Sequence, residues 1–96
     1  MLHRIIVKYN ETVTDREAFA KAAEELFKGV LTIEGIHGVR TVKGLPIADN
    51  RWDLIIEIDM DRQSLEAYSQ SEPHKIWKRD WACYIDKKAI FDSEER

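Results

Sequence analysis

The chain has 96 residues, of which 44% are hydrophobic and 34% charged. That is the balance of one ordinary globular domain, able to bury about 60–70% of the surface its unfolded chain exposes. A net charge of −3 argues against nucleic acid and anionic membrane as partners, which reward a clustered basic surface.

The single cysteine, Cys83, excludes an internal disulfide, and its helical surroundings read as a small buried position rather than a nucleophile. The opening residues lack the apolar core of a signal peptide, and no apolar run approaches the length of a membrane span. A cytoplasmic location is the expectation that follows.

Residues 2–9 are β-branched and aromatic and read as a strand. Its alternation places His3, Ile5, Val7 and Tyr9 on one face and Arg4, Ile6 and Lys8 on the other. The first face is the more apolar and should meet the core. Thr14-Asp15-Arg16-Glu17 then has the spacing of a capping box with Thr14 as the cap. Phe19, Ala22, Ala23, Leu26, Phe27 and Val30 follow at helical spacing, with Lys21, Glu24, Glu25 and Lys28 facing water. Gly35 and Gly38 stop that helix.

Residues 39–45 alternate loosely and read as a second strand, with His37 in the turn before it. The stretch 46–50 is a loop by composition. Residues 52–60 are the clearest strand, with Trp52, Leu54, Ile56, Ile58 and Met60 on one side. Asp61 is placed to cap a helix over 62–70.

That helix does not run on. Ser71 or Glu72 can cap a new one, with Pro73 in its first turn, where a missing N–H costs nothing. Without the break, Tyr68 and His74 would sit about 240° apart at roughly 100° per residue. The kink can bring both side chains over one patch. His74, Trp77 and Trp81 then share a helical face. A last strand spans 85–92, centred on Ala89, Ile90 and Phe91, and a charged tail closes the chain.

The order is βαββαβ with a broken second helix. It predicts an α+β, ferredoxin-like domain: one four-stranded antiparallel sheet with the helices on a single face. The other sheet face carries Ile6 and Ile55 among Arg4, Lys8, Glu57 and Asp59. Two such faces packed together would bury the isoleucines and could pair the charges, so a homodimer is expected.

On these residues the chain resembles the stress-responsive α/β-barrel (Dabb) family of the dimeric α+β barrel superfamily. The likeness lies in Leu2-His3-Arg4-Ile5-Ile6-Val7-Lys8, Trp52-Asp53-Leu54-Ile55-Ile56, Leu65-Glu66-Ala67-Tyr68, Pro73-His74 and Ala89-Ile90-Phe91-Asp92. It covers essentially the whole chain. The resemblance implies protomers that associate through their sheets.

It also implies a site. A plant member of the family performs an intramolecular aldol cyclisation without a cofactor. Its base is a histidine at the start of the kinked helix's second half, with a tyrosine six residues earlier. His74 and Tyr68 stand at that spacing. His3 matches the family's first-strand histidine if Lys8 is matched to its strand lysine; a one-residue shift puts Arg4 there instead. The family's His-Pro-x-His is here Ser71-Glu72-Pro73-His74, with the first histidine missing and proline displaced by one.

Chemically, imidazole can remove a proton near neutrality and a phenol can donate to a developing enolate. An apolar pocket of Ile5, Val7, Phe27, Trp77 and Trp81 would exclude water around them. The opposing reading has Tyr68 and His74 hydrogen-bonded within a filled core. The three histidines His3, His37 and His74 have no metal-site spacing, and RNA stacking lacks the aromatics and basic surround it needs.

Three functions remain open. One is a homodimer that binds a small, largely apolar molecule between sheet and helices, with cofactor-free acid–base chemistry. Another is a non-catalytic stress-related dimer without a ligand pocket. The third is a cofactor-independent monooxygenase-like dimeric barrel.

Overall fold

The architecture is that of a computed structural model and is described for residues 1–94. The strands are β1 (Leu2–Tyr9), β2 (Ile36–Lys43), β3 (Leu54–Met60) and β4 (Ile85–Ser93). The helices are α1 (Arg16–Phe27), α2 (Leu65–Ser69) and α3 (Glu72–Asp80). All four strands join one antiparallel sheet in the order β2-β3-β1-β4. This is the expected ferredoxin-like α+β arrangement.

Alternation does the sorting. In β1 the residues His3, Ile5, Val7 and Tyr9 are buried and their neighbours are not. Leu54, Ile56, Ile58 and Met60 do the same in β3. Against this face pack Ala20, Ala23 and Phe27 from α1, Tyr68 from α2 and Trp77 from α3, so one core lies between sheet and helices.

Several local expectations are corrected. Asp15, not Thr14, caps α1: it is extended and accepts the Ala18 amide hydrogen at 3.0 Å. A carboxylate here also meets the positive end of the helix dipole, which a hydroxyl cannot match. Glu17 reaches Lys43 (2.7 Å) instead of turning back. Ala22 is exposed and Ala20 takes its place in the core. Glu24 does not face water alone. It accepts from the Thr41 amide at 3.0 Å and hydroxyl at 3.1 Å, tying α1 to β2.

Strand β2 begins at Ile36, and His37 and Gly38 belong to it. The turn is made by Gly35, whose φ of +87° is left-handed. A Cβ there would strike the Ser64 hydroxyl, so glycine is required on two counts. Trp52 is exposed and lies before β3. Asp61 gives its carboxylate to His37 at 3.0 Å and makes no cap bond, so the next turn is 3-10 (Arg62–Ser64) before α2 starts. Cys83 is exposed in the turn Ala82–Tyr84. Trp81 ends α3 as its C-cap. Ser93, expected in the charged tail, closes β4, and residues 95–96 of that tail lie outside the described residues.

On the open sheet face the register lines up Val42, Ile55, Ile6 and Ala89 across all four strands. The adjoining row is Arg40, Glu57, Arg4 and Phe91. Glu57 accepts from Arg4 (3.2 Å) and Arg40 (2.6 Å), which holds its carboxyl below the usual carboxylate range. Arg4 and Glu57, two of the charges expected to pair between copies, are thus paired within one sheet. What this face offers a partner is the apolar row and Phe91, which is 57% exposed.

Candidate functional site

The break between α2 and α3 depends on Ser71. Its backbone is extended (φ −72°, ψ 156°), so the α2 run stops, and Pro73 sits in the first turn of α3. The Ser71 hydroxyl donates to the Tyr68 carbonyl at 2.6 Å and accepts the His74 amide hydrogen at 3.4 Å. One side chain therefore ties the end of the first helix to the start of the second. The rings of Tyr68 and His74 come to 4.9 Å between centres.

The His74 Nδ1 lies 2.9 Å from the Ser69 carbonyl oxygen. A carbonyl only accepts, so Nδ1 carries the hydrogen, and in the neutral ring the lone pair is on Nε2. Burial lowers the His74 pKa from its ordinary value. The Ser69 bond opposes that shift, and the charges of Lys78, His3 and Lys88 add to it. The lowered pKa favours the neutral imidazole near pH 7.

Tyr68 is 1% exposed, and among the described residues its hydroxyl has no hydrogen-bond partner. Burial raises its pKa, with the Asp92 charge adding to the effect. The phenol thus stays protonated and holds a donor for which the fold supplies no acceptor. Leaving such a group unpaired costs about 1–3 kcal/mol.

His3 meets the edge of Tyr68, with ring centres 5.2 Å apart. Its Nδ1 is 2.5 Å from Asp92 Oδ1, because β1 and β4 pair with His3 directly opposite Asp92. The carboxylate fixes the ring's orientation and puts the hydrogen on Nδ1. Arg4 points to the other sheet face, where it meets Glu57.

These groups line a cleft of about 360 Å³ between β1, β4 and the two short helices. Other surface hollows match it in volume; its chemistry sets it apart. His3, Ile5, Tyr68, His74 and Trp77 are all on its wall. Val7, Phe27 and Trp81 are not. Val7 and Phe27 are fully buried at the centre of the core, and the Phe27 ring fills the space behind Trp77 (5.2 Å between centres). The Trp81 ring turns to Phe19 (5.0 Å) as α3 ends.

Sequence reasoning missed Asp92, Ile90, Lys88 and Lys78, which line the same cleft. Alternation along β4 carried the signal for the first three, since 88, 90 and 92 share a face. His37 is remote, paired with Asp61. Among the described residues, no three His, Cys, Asp or Glu side chains gather as a metal-holding group, and no helix is long and apolar enough to cross a membrane.

No protein-family model matches the chain, and no curated protein does. Solved structures do. A dimeric protein of unknown function with a ferredoxin-like fold from Bacteroides fragilis superposes with a TM-score of 0.76 at 13% identity, covering 98% of this chain and 94% of that one. A dimeric ferredoxin-like protein of unknown function from Thermobifida fusca gives 0.75 at 21% identity over 94% and 85%. A Dabb family protein from Mesorhizobium loti gives 0.71 at 15% identity over 99% and 95%. Likeness at such identities is likeness of backbone: the chain has the ferredoxin-like fold of a Dabb family protein.

Proposed function

We propose that this protein binds a small, largely apolar carbonyl compound in the cleft between sheet and helices and catalyses proton transfer on it without a cofactor. The observation that carries this reading is the buried, unpartnered Tyr68 hydroxyl beside a neutral His74. Folding tolerates an orphaned donor at a cost, and a ligand's carbonyl oxygen is the acceptor that would repay it.

In the reaction, His74 Nε2 takes a proton from the carbon next to the carbonyl. The electron pair of that C–H bond moves into an enolate, and Tyr68 donates a hydrogen bond to the oxygen where charge develops. The enolate carbon can then take a proton back or attack a second carbonyl, whose alkoxide receives the proton held by His74. Atoms and charge balance without an oxidant. His3, oriented by Asp92, steadies the Tyr68 ring from the side.

The working form is a homodimer, as in the relatives that are described as dimeric, with two open sheet faces packed over Val42, Ile55, Ile6 and Ala89. The location proposed is the cytoplasm. The test of the chemistry is hydrogen–deuterium exchange at the α-carbon of 4-phenyl-2-butanone in D₂O, followed by NMR. The protein should accelerate it and His74→Ala should remove the acceleration. Equal exchange with both proteins would dismiss His74 as the base.

A further inference from the structure

The rim of the cleft carries charge that neither the fold nor the proton transfer uses. Lys78 stands four residues after His74, on the same face of α3. Lys88 pairs with Val7 in the β1–β4 register, so it lies on the helix side of the sheet with Ile90 and Asp92. Both line the cleft, one from each wall.

Neither lysine has an ion pair among the described residues, whereas Arg4, Arg16, Arg40 and Lys43 each hold a carboxylate. The cleft's own carboxylate, Asp92, is committed to His3 at 2.5 Å. Two ammonium groups, one from α3 and one from β4, therefore line the cleft without an ion-pair partner among the described residues.

Resting on the proton-transfer reading above, we propose that Lys78 and Lys88 hold the anionic end of the ligand, which makes the substrate class an enolisable carbonyl compound bearing a carboxylate or a phosphate. Its apolar body lies along Ile5, Leu65 and Trp77, and its carbonyl meets Tyr68. The anion also screens the Lys78 and Lys88 charges that act on His74, which eases protonation of the imidazole during turnover.

The test uses three probes that share one ketone: 4-acetylbenzoate, 4-acetylphenyl phosphate and the neutral 4-acetylbenzamide. Binding to the intact protein is followed by NMR shifts of the Tyr68 and His74 rings. The better-bound anion should exceed the amide by about tenfold at low salt, the scale of two partly desolvated ion pairs. The gap should close in K78Q/K88Q, whose two exposed sites leave the core untouched, and shrink as salt is added. Whichever anion binds more tightly identifies the natural group.

Equal affinity for amide and anions, or a gap that survives K78Q/K88Q, overturns the anion site and leaves the cleft reading standing. No shift of either ring with any probe overturns both.

Discussion

Tyr68 and His74 belong to two different helices, yet their rings lie 4.9 Å apart. The Ser71 hydroxyl bonds both backbones, at the Tyr68 carbonyl and the His74 amide. The spacing of phenol and imidazole is thus set by the two-residue corner Gln70-Ser71 and not by one helix's periodicity. Perturbing either side chain, or the corner, has separable consequences.

Tyr68→Phe removes a hydroxyl that has no partner among the described residues. Its stability should hold or rise, by up to about 1–3 kcal/mol of relieved desolvation. Exchange at the ketone should fall on the order of 10²-fold, as when one donor to a developing oxyanion is lost. Thermal melts and the NMR exchange assay read the two effects. A tyrosine with a purely packing role would leave exchange intact.

His74 has a pKa below the ordinary imidazole value of about 6.5, first because it is buried. The exchange rate should therefore climb with pH on a limb whose midpoint lies below that value, and flatten above it. Lys78→Gln removes a charge that adds to this lowering and should move the limb to higher pH. Linkage gives the same sign for stability. With the folded pKa depressed, the contribution is present above about 6.5 and is lost as pH falls through the folded value. Denaturant melts from pH 5 to 8 should show this decline, and His74→Gln should remove it.

Ser71→Ala deletes the α3 cap and the bond to Tyr68 together. Loss of such a cap costs about 1 kcal/mol, or about 4–8 °C in melting temperature for a domain of this size. Because Ser71 acts by positioning, exchange should fall as well, and Ser71→Thr, which keeps the hydroxyl, should restore both. A variant that loses stability at full exchange rate would show that the corner does not set the geometry.

Ile55→Lys places a charge in the apolar row of the open face and away from the cleft. Sedimentation should show dimer for the native chain and monomer for the variant, with ring shifts on ligand binding retained. A native chain that sediments as a monomer at all concentrations would remove the sheet-to-sheet dimer.

Local rules carried most of the fold. Alternation in β1 and β3 told which side chains face the core, and this includes His3 on the helix side and Arg4 on the other. Ser71 and Pro73 announced the corner through capping and a fixed φ. Local competition explains the misses. Asp15 outbid Thr14 for the α1 cap, and Gly35 rather than Gly38 made the turn, so β2 starts at Ile36 and ends at Lys43 instead of running over 39–45.

The chain alone therefore determined the elements, their order and the kink, because dihedral preference and burial period act within about ten residues. It could not show that Asp92 stands opposite His3, 89 positions away, that Lys88 and Ile90 share that wall, that Val7 and Phe27 belong to the core behind it, or that Trp81 packs at the core's edge against Phe19. Those facts were decided by which strands became neighbours and by how three helices filled one sheet face. Such choices are settled by burying the whole apolar surface at once, and no short window of sequence contains them. The unpaired Tyr68 hydroxyl belongs to the same class, since only the packed interior reveals which donors found no acceptor.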